Sequence, residues 1–183
     1  MRLKLKTAPT VEPVTLDEAK LHLKVDSADD NPLITALIAT ARELAERETK
    51  RAFVTQIWEL ILDTAGGEIE VPKPPLQSVE SITVIDKEGG ETVVDASKYD
   101  VDKAQNSYGR VRLRSGSSWP AHRGFASFIV EFKAGYGNAA ADVPEALKQA
   151  ILQLIAHLYE NRESVEVPAG VKILLWAFKI MRI

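Results

Sequence analysis

Apolar residues recur in steps of three and four along "DDNPLITALIATARELAERETKR". Leu33, Leu37, Ala41 and Leu44 form one row and Ile34, Ile38 and Ala45 the next, which is the period of a helix with one buried face. Asn31 is placed to cap this helix and Pro32 to open it, where a missing N–H costs nothing, and the pattern runs to about residue 51. On the opposite face Glu43 with Arg47 and Glu46 with Lys50 stand at i,i+4, the arrangement of a solvated surface. Upstream, "TLDEAKLHLKV" sets Thr15 and Glu18 at capping-box spacing, each side chain meeting an orphan backbone N–H of the other, and predicts a short helix from about 16 to 24. The residues before it read as an extended, proline-marked arm.

From Phe53 to Phe132 the period changes to β-branched and aromatic runs broken by Gly, Pro, Asn and Asp. Strands are expected at 54–63, 68–71, 78–86, 91–94, 99–102, 110–114 and 126–133, with "KEGGE" and "NSYG" as hairpin connections. "VPKPPLQS" is too rich in proline for a central strand. Short consecutive strands with tight turns predict an antiparallel meander. Helix resumes where Asp142 and Glu145 repeat the capping-box spacing, and Leu147, Ile151, Leu154, Ile155 and Leu158 carry an apolar stripe to about residue 161. The fold class is therefore α+β: a single domain over 1–183, with helical segments 15–52 and 142–182 packed together and a large antiparallel β insertion at about 53–135.

The stretch "KILLWAFKIMRI" at 172–183 is apolar at nine of its twelve positions. On a helical wheel Lys172, Lys179 and Arg182 share one stripe and apolar residues fill the rest, a wider arc than one core requires. It is well short of the ~20 residues that cross a bilayer. The expectation is divided burial, part on the chain's own helices and part on a neighbour, with Leu174, Leu175, Trp176, Phe178, Lys179, Met181 and Arg182 as the candidate partner interface. Trp176 and Phe178 are the type of large aromatic anchor that dominates interface energetics.

Composition narrows the chemistry. The chain has no cysteine, which excludes disulfides, thiolate catalysis and cysteine-ligated metals. A formal charge of −3 is the wrong sign for a protein whose main task is neutralising nucleic-acid phosphates. "MRLKLKTAPTVEP" lacks the apolar core of about 7 to 15 residues that a secretory signal needs, so a cytoplasmic site of synthesis is expected. His22, His122 and His157 have no helical metal-ligand partners, "DSADDN" lacks the alternating ligands of a calcium loop, and "AGYG" is not followed by the Lys-Ser or Lys-Thr of a phosphate loop. No cofactor, metal or catalytic residue is expected. "RVRLR" places Arg110, Arg112 and Arg114 on one strand face, a candidate basic surface for acidic protein or a phosphate backbone, and "MRLKLK" alternates similarly at Arg2, Lys4 and Lys6 on an arm of the sort that a partner often orders.

Several stretches together resemble the head-tail connector, or adaptor, proteins of long-tailed phages and prophages. They are "VEPVTLDEAKLHLKVD", "DDNPLITALIATARELAERETKRAFVTQIWEL", "PKPPLQSVESI", "YDVD", "SSWPAHRG", "VEFKAGYGNAAADVPEALKQAILQLIAHLYENRE" and "LLWAFKIMRI", in the family's order and over nearly the whole chain. Where the family commonly reads "LLAPYR", this chain reads "LLWAFK", with Trp176 and Lys179 substituted. The resemblance implies helices enclosing a β insertion and a non-enzymatic role in virion assembly. It further implies a ring, expected to be dodecameric, beneath the portal at the virion neck. Such a ring extends the DNA channel, lets DNA pass without sequence-specific binding, and offers a platform to stopper or tail-completion proteins, its subunits having been made in the bacterial host cytoplasm. The rival reading is a nucleic-acid-binding accessory factor of DNA packaging that uses the Arg110, Arg112, Arg114 face.

Overall fold

The computed structural model describes residues 1–161 and 166–181. The chain divides into two compact units, one formed by Met1–Pro9 with Thr55–Gly135 and the other by Thr10–Val54 with Tyr136–Ile183. The fold is α+β: Thr55–Gly135 of the β-rich unit is inserted between the two halves of the helical one, and Met1–Pro9 adds a strand to it from the chain start.

In the helical unit, α1 (Leu16–Leu23) starts from the expected capping box. The Glu18 N–H donates to Thr15 Oγ1 and the Thr15 N–H to Glu18 Oε2, at 3.2 and 2.7 Å. The long helix α2 spans Asn31–Thr49, and its start departs from expectation. Asp30, not Asn31, occupies the cap position, and neither side chain caps the helix: Asn31 Oδ1 accepts from Lys20 Nζ at 3.0 Å, and Asp30 Oδ2 accepts from the Tyr159 hydroxyl at 2.6 Å. Tertiary partners have taken both caps. The second capping box is also absent as written. Asp142 Oδ2 accepts from the Ala139 N–H at 2.9 Å within a short 3₁₀ turn, and α3 (Glu145–Glu160) follows Pro144 with no side-chain cap.

The core of this unit comes from the rows read in the sequence. Ile34, Ile38, Ala41, Leu44 and Ala45 of α2 meet Leu147, Ile151, Leu154, Ile155 and Leu158 of α3. Glu46 does not belong to the solvated face. It is 4% exposed, accepts from Arg42 Nη1 at 3.0 Å and from the Phe53 N–H at 2.8 Å, and so fixes the strand exit against the helix. Arg42 Nε also donates to Glu12 Oε2 at 2.8 Å. The last helix, α4, covers only Ala169–Trp176, shorter than the helical span expected to 182. Beyond it the Ile180 N–H donates to the Thr49 carbonyl at 3.1 Å, and Arg51 Nε donates to the Phe178 carbonyl. The Thr49 carbonyl and the Arg51 guanidinium, at the C-terminal end of α2, thus capture the chain that would otherwise continue the helix.

The inserted unit holds two antiparallel sheets. The strands are β1 (Arg2–Thr7), β2 (Gln56–Leu62), β3 (Glu68–Val71), β4 (Leu76–Ile85), β5 (Glu91–Val93), β6 (Tyr99–Asp102), β7 (Gly109–Leu113) and β8 (Phe128–Ala134). Their orders are β1-β2-β8-β4-β5 and β3-β7-β6, not a simple meander, because the last strand lies between β2 and β4. The basic N-terminal stretch is ordered as an edge strand: Lys4 faces Glu59 across the ladder, and Lys6 is paired with Glu131, whose hydrogen bond pushes the ammonium pKa up. The prolines of "VPKPP" precede β4, so the strand interior begins at Leu76 and keeps its donors. Alternation buries Leu60, Ile82, Val84, Phe128, Val130 and Phe132 from the larger sheet and Ile69, Val71, Val111 and Tyr99 from the smaller. Gly109 of β7 is required by close approach, since a Cβ there would lie 2.3 Å from Leu76 Cδ2.

Candidate interaction surfaces

The C-terminal stretch is divided between interior and surface. Val171, Leu175 and Ile180 are buried, and Leu174 and Phe178 are half-buried against the helical core. Ile173, Trp176 and Met181 point outward at 74, 62 and 66% exposure. Leu175, expected at the interface from its sequence, is instead a core residue at 2% exposure, because the α4 stripe that faces α2 and α3 passes through Val171 and Leu175. Arg182 lies outside the described residues.

The exposed residues form a ridge with Trp176 at its crest. Clefts flank the indole, one lined by Glu48, Lys172, Leu175 and Lys179, the other by Lys172 and Ile173. Lys179 Nζ stands 5.7 Å from the Trp176 ring centroid, and Lys172 Nζ is 3.9 Å from Glu166. A large apolar side chain held in solvent beside two ammonium groups is the composition of an interface anchor.

A second apolar surface in the helical unit was not evident in the sequence. Val11, Val14, Leu16, Ile38, Ala139 and Ala140, with Glu12, Thr15, Thr35 and Asn138, line an open groove of about 490 Å³. Three separated segments build it, so no periodicity announces it; the one local signal is Val11, apolar among prolines and 40% exposed. Carboxylates gather around it. Glu12 lines it, and Glu18 and Asp142 are hydrogen-bonded to the backbone of its lining residues Thr15 and Ala139. Arg42 turns inward onto Glu12 and Glu46, and Lys148 acts on Glu18 through its charge.

The basic strand face is present but interleaved with acid. Arg110 Nη2 is 2.7 Å from Asp102 and its Nη1 3.7 Å from Glu68, while Arg114 Nε is 2.8 Å from Asp100. Arg112 stands in register between Glu68 and Asp100. The hydrogen bonds it donates to Asp102 hold the Arg110 guanidinium above its ordinary pKa. Three arginines among Glu68, Glu70, Asp100 and Asp102 make a face without positive excess, so the nucleic-acid reading finds no support here. Elsewhere in the inserted unit Phe125 is 76% exposed on a loop pinned by Trp119 Nε1 to the Gly66 carbonyl and by the Ala126 N–H to Asp63. Among the described residues no cluster of three His, Asp or Glu is arranged to hold a metal.

The described surfaces are thus an apolar ridge, an apolar groove and a charge-laced sheet face. The chain belongs to the phage gp6-like head-tail connector protein family, whose profile matches residues 13–110. It is a structural component of the head-tail junction. A search of curated proteins returned no match. Three solved structures resemble it over 100% of its length and 97% of theirs. A chain from the neck of an empty gene transfer agent (GTA) particle, computed with C6 symmetry, has a TM-score of 0.85 at 24% identity. One from the virion of the native gene transfer agent particle has 0.81 at 24%, and one from the neck of the native particle, computed with C12 symmetry, has 0.79 at 25%.

Proposed function

We propose that copies of this chain close head to tail into a ring of twelve beneath the portal, extending the DNA channel and presenting a platform for stopper or tail-completion proteins. Family membership together with full-length likeness to a neck chain of C12 symmetry carries this reading. A cyclic ring requires two different patches on each subunit, each complementary to the other on its neighbour. The ridge and the groove are two such patches, and Phe125 in the inserted unit offers a further contact for portal or tail. The protein acts by geometry and contact, without turnover. A net charge of −3 suits a passage through which a duplex slides without adhering.

Size-exclusion chromatography with light scattering, alone and with the portal, tests the ring. A twelvefold mass in at least one condition is expected. A monomer in both, together with particles whose necks lack the protein, overturns the reading.

A further inference from the structure

We infer that the Trp176 ridge of one copy seats in the Val11–Ile38 groove of the next, making this the contact that closes the ring. The inference rests on the ring reading above and assigns its surfaces.

Both patches border the same rigid element at different ends. Thr35 and Ile38 of the groove lie in the first half of α2, and Glu48 of the ridge cleft lies in its last turn. Ten residues of helix separate Ile38 from Glu48, about 15 Å at 1.5 Å per residue. A subunit therefore cannot lay its own ridge in its own groove, and because the patches differ, a repeated contact between copies runs head to tail. The chemistry is complementary. The ridge presents Trp176 and Ile173 with Lys172 and Lys179 beside the indole, while Glu48 and Glu166 stand at its margins. The groove is lined by Val14, Leu16 and Ile38 and carries Glu12, Glu18 and Asp142 around it, Glu12 sharing the Arg42 guanidinium with the buried Glu46 and Glu18 feeling the charge of Lys148. An indole entering such a groove exchanges water for Val14, Leu16 and Ile38 and brings its two ammonium groups toward carboxylates.

The absence of cysteine in the sequence makes the test clean. Full-length Ile173→Cys and Thr35→Cys variants, both at exposed positions, are mixed under assembling conditions and treated with a short bis-maleimide. Mixed dimers containing one of each variant are expected, and the double variant should give a ladder up to the closed ring. In parallel, Trp176→Glu should weaken self-assembly by about thirtyfold or more while leaving the denaturation midpoint of the monomer unchanged. Rings that form without mixed cross-links overturn this contact and leave the ring reading standing. A Trp176→Glu protein that still forms rings but no longer binds portal assigns the ridge to the portal and also overturns it. A wild-type chain that stays monomeric alone and with portal defeats both readings.

Discussion

Arg42 and Glu46, one turn apart on α2, form an ion pair at 3.0 Å with both side chains shut away from water, at 7 and 6% exposure. Burial lowers the guanidinium pKa most strongly, yet Glu46 and Glu12 together raise it above its ordinary value, so the pair is charged and compensated. Glu46 also accepts the buried Phe53 N–H, which ties the chain leaving α2 back onto the helix.

Removing either member strips a buried counter-charge from the other, leaving Arg42 with Glu12 alone in the interior and Glu46 with the Phe53 N–H. Arg42→Ala or Glu46→Ala should each cost about 3–5 kcal/mol in urea denaturation. The double change Arg42→Met with Glu46→Leu should recover only part of that, because the Phe53 N–H then lacks an acceptor, a loss of about 1–3 kcal/mol.

Two nearby residues on α4 separate folding from contact. Leu175→Ala should destabilise the protein by about 2–5 kcal/mol, since it opens a cavity in the helical core. Ile173→Ala, two residues away and 74% exposed, should stay within about 0.5 kcal/mol of wild type. Equal losses in the two variants would place Ile173 inside the fold.

Acid should loosen the start of α1. Hydrogen bonds from the Thr15 backbone and hydroxyl hold Glu18 below its ordinary carboxylate pKa of 4.5. A carboxylate with a lowered folded pKa stabilises above its unfolded pKa, and this contribution drains away as pH falls from about 4.5 through the lowered value. Glu18→Gln keeps an acceptor for the box but no longer titrates there, so its urea midpoint should fall less steeply than that of wild type below pH 5.

The checkerboard on β3, β7 and β6 should not hold DNA. Fluorescence anisotropy with duplex is expected to show no tight binding at low salt and therefore no steep loss on raising it. Reversing Arg110, Arg112 and Arg114 to Glu should leave oligomer mass unchanged. Tight, salt-sensitive duplex binding abolished by that reversal would restore the rival reading.

Local chemistry was legible in the sequence. Helical spacing located the α2 and α3 core rows, Thr15 and Glu18 announced their own box, and the hairpins fell at "KEGGE" and "NSYG". What escaped depended on distant partners. Lys20 and Tyr159 take the side chains that would have capped α2, Arg42 draws Glu46 inward, and β2 orders the basic arm as β1. Of the surfaces, the ridge could be read because one continuous stretch supplies it. The groove could not, since residues 11–16, 35–38 and 138–140 meet only after folding.

The position of β8 governs the order in which the insertion matures during synthesis. β2 and β4 have no direct ladder with each other; each pairs with β8, which leaves the ribosome last among the eight strands. Until residue 134 has emerged, the β1-β2 pair, joined through the two helices between them, and the β4-β5 hairpin lack their shared centre, each offering an unfilled edge to other nascent chains. Translation of the β8 codons is thus the moment at which the larger sheet closes, and a pause just upstream prolongs the interval in which polysome neighbours can cross-pair.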